Sequence, residues 1–179
     1  MQKDKKILLH ACCAICSGYP ITLLQNIGYQ PIVYFYNPNI DSIEEFNRRL
    51  EAQVKLCSHF NIELLVEPYY PQEYLDFVKG FELEPEKGKR CFKCVELRLK
   101  KTAQKAQNIG INEFTTSLVI SPHKNFDKIS LIGKNMASLY NLNYLAIDFK
   151  KKNGFLHTNN ISKELGLYRQ NYCGCKFAK

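Results

Sequence analysis

The sequence lacks a long apolar run, and this absence limits where the protein can work. No segment approaches the roughly 18 consecutive apolar residues that a membrane-spanning helix requires. The charged start of the chain is followed by only three apolar residues before His10, too few for the apolar centre of a secretion signal. We therefore expect a cytoplasmic protein with no membrane association.

Repeats, low-complexity segments and a block of five like charges are also missing. A length of 179 residues fits one domain. The apolar share of 45% and the charged share of 23% are close to globular averages, which excludes disordered and fibrous classes. We predict one catalytic domain over residues 1–179, in which 150–179 form a C-terminal extension.

Basic residues outnumber acidic ones, and this excess bears on the partner. The 25 Lys and Arg residues exceed the 17 Asp and Glu residues and give a net charge of +8. Such a surplus favours a polyanion, with nucleic acid as the leading candidate, through phosphate contacts and counterion release. The alternative is a small lysine-rich protein that is basic without such a partner.

Short apolar runs alternate with segments of helical periodicity, which predicts an α/β fold. The predicted strands are 6–12, 30–36, 62–66, 113–120 and 143–149. The predicted helices are 20–26, 42–60, 71–78, 91–108 and 125–140. Ser42 and Glu45 form a capping-box pattern at the second helix. Its apolar residues at helical spacing are Ile43, Phe46, Leu50, Val54 and Cys57.

A parallel sheet with helices on both faces binds its ligands beyond the carboxyl ends of the strands. The residues that follow predicted strands include Cys12, Cys13, Asn37, Asp148 and the segment 121–123. We expect one crevice to collect them.

Eight cysteines in a cytoplasmic chain favour metal binding or catalysis over disulfides. Seven of them are clustered: Cys12, Cys13, Cys16, Cys91, Cys94, Cys173 and Cys175. The two C-x-x-C pairs stand at helix starts, where the helix dipole favours the thiolate that soft metals bind. Because adjacent residues on a strand point to opposite sides, we expect Cys12 and Cys13 to serve two neighbouring centres.

The number of cysteines indicates which kind of metal centre the chain could hold. Two C-x-x-C pairs would fill a structural zinc site, so seven cysteines exceed its need. A four-cysteine [4Fe–4S] cluster leaves three for a second metal with an open position. A dithiol–disulfide oxidoreductase is a further alternative. Cys57, on the apolar side of a helix, is interpreted as a core residue, and His10 as a packed histidine.

Six blocks of the sequence resemble the cobalamin-independent epoxyqueuosine reductase family (QueH). They are LLHACCAICS at 8–17, YFYNPNI at 34–40, RCFKC at 90–94 with RL at 98–99, TTSL at 115–118 with SPHKN at 121–125, DFK at 148–150, and YRQNYCGC at 168–175. The chain departs from the family pattern in two places. Ile15 stands where the family usually has proline, and Lys150 where we expect arginine, which weakens a bidentate anion contact.

The resemblance implies an enzyme of the last step of queuosine biosynthesis, which removes the epoxide oxygen of epoxyqueuosine in a tRNA anticodon loop. It also implies a Rossmann-like, HUP-type fold with a cysteine-bearing C-terminal extension. The implied cofactors are a [4Fe–4S] cluster and an adjacent mononuclear iron. Turnover consumes two electrons and two protons, so we expect an external electron donor. The iron is expected to act as Lewis acid and the cluster as electron relay.

Site residues follow from these blocks. The seven clustered cysteines are the predicted metal ligands. The predicted proton donors are Asp148, Tyr36 and Tyr168. The predicted substrate-binding residues are Ser17, Asn37, Arg98, His123, Arg169 and Gln170. Charge, and not these blocks, predicts the contacts to the tRNA backbone, with a solvated helix face as the alternative. These contacts are Lys93, Lys100, Lys101, Lys105, Lys150, Lys151 and Lys152.

Two other functions share parts of the pattern. ATP-dependent tRNA thiolation occurs on a similar fold but needs a glycine-rich phosphate loop after the first strand. Residues 13–18 occupy that place, and their thiolates would repel phosphate. A zinc-stabilised RNA-binding protein is the other, and metal analysis separates it from an iron–sulfur enzyme.

Overall fold

The computed structural model describes residues 5–178, within which strands and helices alternate along most of the chain. The strands are β1 (Lys5–His10), β2 (Tyr29–Phe35), β3 (Leu64–Val66), β4 (Glu113–Thr116) and β5 (Asn143–Tyr144). The α-helices are α1 (Ala14–Asn26), α2 (Ile43–His59), α3 (Pro71–Phe77), α4 (Lys89–Asn108), α5 (Phe126–Tyr140) and α6 (Gly154–Glu164). Within residues 5–178, no helix combines the length and apolar character needed to cross a membrane.

All strand pairs in the sheet are parallel, and the order is β3-β2-β1-β4-β5. Leu8 in the central strand β1 pairs with Ile32 on one side and Phe114 on the other. The chain moves outward from β1 to β2 and later returns to the other side of β1 with β4. The carboxyl ends of β1 and β4 therefore border the switch point where sheets of this kind bind ligands.

The sheet carries a helical layer on each face. Leu8 packs with buried side chains of α3, α4 and α5, whereas Ile7 and Leu9 pack with those of α1 and α2. This alternation follows from the two-residue period of a strand. Burying each such side chain contributes roughly 1.5–3 kcal/mol. The predicted α/β class with helices on both faces is confirmed.

The first helix begins earlier than predicted. Its first residue is Ala14, with Cys13 in extended backbone as the N-cap, and Pro20 lies inside the helix. The prediction begins the helix at Pro20, because the missing N–H of proline costs nothing at the first helical position. Since β1 ends at His10, Cys12 and Cys13 lie in a loop and not on a strand.

The buried face of α2 also differs from the prediction. The Ser42 side chain accepts the N–H of Glu45, as expected of an N-cap. The other half of the capping box is wrong, because the Glu45 carboxylate accepts hydrogen bonds from Arg49 and Tyr168. Ile43 and Val54 are 44% and 50% exposed, so the apolar side is narrower than the pattern suggested.

After β4 the structure departs from the prediction in two further ways. The predicted strand 113–120 stops at Thr116 and continues as a 3₁₀ turn, and β5 spans only two of the seven residues predicted. Helix α6 is absent from the prediction. It packs on α1, where the Thr158 hydroxyl donates to the Ile15 carbonyl, and it lies in the C-terminal extension that also carries Cys173 and Cys175.

Candidate metal centre

Three cysteines at the junction of β1 and α1, two in the loop and Cys16 in the first turn of α1, bring their sulfurs together at the switch point. The Sγ atoms of Cys12, Cys13 and Cys16, which we call the trio, all lie within 4.8 Å of one another. The Cys12 and Cys13 sulfurs are 3.9 Å apart. The premise that these two side chains point to opposite sides is wrong, because in a loop no pleat turns neighbouring side chains apart. The trio forms a group that could hold one metal ion.

The three thiols of the trio differ in pKa, and the pKa of Cys12 is the lowered one. Hydrogen bonds from Cys13 and Cys16, with help from Ser117 and the charge of Arg98, hold the pKa of Cys12 well below its usual range. The pKa of Cys13 is raised to about 12, first by its hydrogen bond to Cys12. The pKa of Cys16 is also raised by its bonds to the other two thiols. A cation would be needed to hold all three as thiolates.

The other four clustered cysteines line one small pocket and come from two distant parts of the chain. This quartet consists of Cys91 and Cys94 in the first turns of α4, and Cys173 and Cys175 in the C-terminal extension. The Lys87 N–H donates to the Cys91 sulfur at 3.2 Å, and the Phe177 N–H donates to the Cys175 sulfur at 3.4 Å. Hydrogen bonds to the sulfurs are among the features by which a protein tunes a thiolate-bound iron–sulfur cluster.

Arg98 lies between the trio and the quartet. Its side chain lines both cavities and is only 3% exposed. It donates to the Asn37 side chain at 3.5 Å, and Asn37 donates in turn to the Ala11 carbonyl at 2.9 Å. Burial alone would lower the pKa of Arg98, but the neighbouring thiols, Cys94 first, raise it, because a thiolate beside it would favour the guanidinium. One buried cation therefore lies beside both groups of cysteines.

The C-terminal half of the quartet is held by Arg49 of α2. The buried guanidinium donates to the carbonyl oxygens of Cys173 and Tyr172 at 3.0 and 3.1 Å. It also donates to Glu45 at 2.6 Å, and Glu45 accepts the Tyr168 hydroxyl at 2.8 Å. We call Glu45 and Arg49 the clamp. Sequence analysis missed it, although two charges four residues apart on the buried side of a helix were a signal that could have found it.

An open cavity of about 330 Å³ adjoins the trio. Several predicted site residues line it: Cys12, Cys13, Cys16, Cys173, Arg98, His123 and Gln170. Sequence analysis did not single out Ser117, which donates to the Cys12 sulfur at 3.4 Å, or Tyr74, whose hydroxyl lies 2.9 Å from the Cys175 sulfur. The arrangement brings a possible metal and a polar cavity together at the sheet edge.

The three predicted proton donors lie elsewhere. The Tyr36 hydroxyl donates to Glu73 at 2.7 Å, and Tyr36 lines a separate cavity beside α3 and α4. The Tyr168 hydroxyl is engaged with the clamp, and Asp148 forms an ion pair with Lys150 at 3.6 Å. None of the three lines the cavity beside the trio.

The remaining predicted substrate-binding residues support the site or lie outside it. Ser17 is fully buried, and its hydroxyl donates to the Cys13 carbonyl at 2.7 Å. Arg169 is exposed and donates to Asn159 of α6. As expected, His10 is a packed residue, with its ring nitrogens 2.9 Å from the Thr116 hydroxyl and 3.0 Å from the Tyr36 carbonyl. Burial lowers the pKa of His10 to about 4. Cys57 belongs to the core, also as expected.

Most of the predicted tRNA-backbone lysines on α4 already have acidic partners. Lys93 pairs with Glu96, Lys101 with Glu73 and Lys105 with Glu67, at 3.1, 2.7 and 3.0 Å. Lys100 is half-buried on the same helix, whereas Lys151 and Lys152 are exposed after β5.

The fold and the cysteine groups define a Rossmann-like α/β protein with a candidate metal centre at its switch point. The chain superposes on the U34-tRNA thiolase NcsA from Methanococcus maripaludis, solved with its [4Fe–4S] cluster, with a TM-score of 0.61 and 14% identity over 99% of this chain and 62% of that one. The chain also superposes on a predicted tRNA methyltransferase subunit from Methanocaldococcus jannaschii, with a TM-score of 0.57 and 11% identity over 87% of this chain and 74% of that one. These likenesses support the HUP-type fold.

The sequence identifies the family. The family profile described as Epoxyqueuosine reductase QueH matches residues 7–179. The QueH protein of Streptococcus pyogenes is 42% identical over 96% of this chain and 69% of its own length. The QueH protein of Staphylococcus epidermidis is 37% identical over 97% of this chain and 76% of its own length. The QueH protein of Haemophilus influenzae is 36% identical over 97% of this chain and 71% of its own length. The chain belongs to the epoxyqueuosine reductase QueH family, and the resemblance found in its sequence is confirmed.

Proposed function

We propose that this protein reduces epoxyqueuosine in tRNA to queuosine, the final step of queuosine biosynthesis, with a [4Fe–4S] cluster and a single iron held by its clustered cysteines. The observation that carries the proposal is the trio and the quartet on either side of Arg98, in a chain of this family. Seven thiols around one buried cation form a donor set for two thiolate-bound centres.

The trio fits a single metal ion. Metal–sulfur bonds of about 2.3 Å in a tetrahedral site place the sulfurs about 3.8 Å apart. The Cys12 and Cys13 sulfurs stand at 3.9 Å, close to that spacing. Three thiolates would leave a tetrahedral ion one further position for another ligand, as in catalytic metal sites, and the cavity adjoins the trio. We assign the single iron to Cys12, Cys13 and Cys16.

The quartet is our candidate for the four-iron cluster. Each of four thiolates in such a cluster binds a different iron, so its sulfurs stand further apart than sulfurs that share one ion. Among residues 5–178, the sulfurs of the trio are close enough together to bind one ion. The four cysteines of the quartet line one pocket, but their sulfurs do not meet that spacing. We assign the cluster to Cys91, Cys94, Cys173 and Cys175.

Removal of the epoxide oxygen leaves an alkene and water and consumes two electrons and two protons. When bound, the metals supply Lewis acidity toward the oxygen and a path for electrons from an external donor. The chain supplies the rest. Gln170 and Arg98 line the cavity and offer hydrogen-bond donors to the substrate base. A cavity that encloses one nucleotide requires the base to leave the anticodon stack.

His123 is our candidate for the group that delivers protons. It lines the cavity, and imidazole is the side chain that most readily gives and takes protons near neutral pH. Asp148, Tyr36 and Tyr168 stay candidates from the sequence, but each is engaged with another side chain outside this cavity. His123→Gln should slow turnover while iron content stays the same.

The test begins with anaerobic reconstitution with iron and sulfide. We expect more than four irons per chain, a broad absorption that reductant bleaches, and conversion of epoxyqueuosine to queuosine in tRNA, measured by mass spectrometry of its nucleosides. Iron loading without conversion under any reductant would overturn the reductase assignment. One zinc per chain without iron would instead support an RNA-binding protein with a structural metal.

Single variants test the assignment of cysteines. Cys94→Ser should lose the broad absorption and most of the iron. Cys12→Ser should keep the absorption and lose about one iron per chain, with turnover abolished. The opposite result, absorption lost in Cys12→Ser and kept in Cys94→Ser, would exchange the two assignments. Cys57→Ser is the matched control and should keep both iron and turnover.

A further inference from the structure

A second cavity of about 400 Å³ opens beside the trio cavity, between the start of α4 and the segment that leads into α5. The two cavities share the wall formed by Lys87, His123 and Lys124. The second cavity is also lined by the half-buried ring of Phe92 and by Lys128. We call this second cavity the Phe92 cavity. The established family and the proposed centre leave it without a role.

The three lysines of the Phe92 cavity differ from those on the rest of α4. Lys93, Lys101 and Lys105 are each paired with an acid, whereas Lys87, Lys124 and Lys128 have no acidic group within ion-pair distance among residues 5–178. Glu86 lines the neighbouring trio cavity but pairs with none of them. Unpaired ammonium groups around a cavity produce a positive potential that attracts an anion.

Phe92 adds a surface for a flat ring. The Lys128 ammonium lies 4.6 Å from the centroid of Phe92. An interaction of this kind at a solvent-accessible position is weak. Lys128 can therefore turn toward a phosphate when a base stacks on the ring. Single-stranded RNA is recognised by this combination, in which unstacked bases lie on aromatic rings and basic groups follow the backbone.

We infer that the Phe92 cavity binds the anticodon-loop nucleotide next to the one that enters the trio cavity. The inference rests on the proposed function, since that function places a tRNA base beside the trio. In this arrangement the neighbouring base stacks on Phe92, and the backbone between the two nucleotides crosses the shared wall of Lys87 and Lys124. The RNA-binding surface thus moves from the paired lysines of α4 to this rim.

The experiment measures binding of a synthetic anticodon stem–loop RNA to the reconstituted protein by fluorescence anisotropy, across a salt titration. The test variant changes Lys87, Lys124 and Lys128 together to Gln. The control variant removes the same charge from exposed lysines that line neither cavity, by changing Lys55, Lys79 and Lys163 to Gln. Iron content and thermal melting of both variants are compared with the unchanged protein.

We expect the test variant to bind at least tenfold more weakly and its salt slope to fall by about 1.4, since the phosphate at the shared wall and the phosphate at Lys128 each contribute about 0.7. The control variant should keep the slope of the unchanged protein. Phe92→Leu should weaken binding about tenfold without changing the slope, and Phe92→Tyr should restore it, because stacking needs a ring but no charge.

Equal slopes for the test and control variants would overturn the inference, as would full affinity of Phe92→Leu. If the triple change lowers iron content, the single Lys128→Gln variant replaces it and should lower the slope by about 0.7. Failure of the proposed function has a different signature. The unchanged protein would then fail to convert epoxyqueuosine, whereas the RNA-binding measurements would still report on the Phe92 cavity.

Discussion

The trio and the quartet contain similar sulfurs but are built in different ways. The trio comes from five consecutive residues at the end of the loop after the central strand and the first turn of α1. The quartet joins the start of α4 to a segment about eighty residues later, and that segment is held by the clamp. One group is therefore set by local backbone, and the other depends on interactions between distant elements. For this reason, disturbing the clamp should affect the two groups unequally.

Arg49→Met should produce the largest difference between the quartet and the trio in the loss of iron. It leaves the Glu45 carboxylate buried without its cation and removes two donors from the cysteine segment. Breaking one partner of a buried ion pair costs about 3–5 kcal/mol. We expect urea denaturation to show a loss of this size, and iron analysis to show that the iron of the quartet is lost before that of the trio.

Arg49→Lys serves as its control. An ammonium keeps the charge but cannot reach three acceptors with the fixed geometry of a guanidinium, so iron loading should be intermediate. Full loading of Arg49→Met with the cluster absorption unchanged would show that the clamp does not hold the quartet.

Gly174→Ala should have the next largest effect. Gly174 has a φ of +106°, and an added Cβ would meet the Arg49 guanidinium at 3.0 Å. The strained backbone costs about 1–3 kcal/mol. Gly110→Ala is a matched control, because its φ is +72° and nothing lies within 4 Å of the added carbon. Cluster absorption should fall in the first variant and not in the second, although both lower the denaturation midpoint.

Ser117→Ala tests whether the trio is as self-contained as its local origin suggests. The Ser117 hydroxyl accepts the Cys12 N–H at 3.1 Å and donates to its sulfur at 3.4 Å. Losing these bonds should cost about 1–2 kcal/mol in the free energy of unfolding. Iron analysis should still find the trio loaded. Loss of the single iron in this variant would mean that local backbone alone does not set the trio.

Cys57→Ser should have the smallest effect. The Cys57 sulfur accepts from Gln53 at 3.5 Å inside the core, and a serine hydroxyl can accept the same bond. We expect a change of about 1 kcal/mol or less in thermal unfolding and full iron loading. A marked loss of iron would contradict the division of the eight cysteines into seven clustered residues and one core residue.

Sequence patterns predicted the alternation of strands and helices well, because the apolar pattern of a buried strand or an amphipathic helix is contained in its own short stretch of sequence. For example, α4 lies where a helix was predicted over 91–108, and it buries Leu97, Leu99, Ala103 and Ala106. Helix α6 escaped prediction for a local reason. Its start follows two residues in left-handed backbone, Lys152 and Asn153, without a capping side chain, and the helix depends on packing against α1.

The sequence predicted which residues form the candidate site better than it predicted how they are arranged in space. The seven cysteines and Arg98 line two adjoining pockets. Spacing could not reveal that Cys12 and Cys13 face the same point, since this depends on where β1 ends. Nor could it reveal the clamp, because the partner of Arg49 is a pair of carbonyl groups more than a hundred residues away.

The central position of β1 has a consequence for how the two groups come apart. Ala11, just before the trio, donates its N–H to Tyr34 of β2, so the backbone of the trio is continuous with the middle of the sheet. Core strands exchange their amide hydrogens only through global unfolding, whereas loops open locally at lower free energy. The trio, which is joined directly to β1 on one side and lies at the start of α1 on the other, should therefore open at a higher free energy than the segment that carries Cys173 and Cys175. The quartet can lose Cys173 and Cys175 in a partial opening that leaves the rest of the molecule folded.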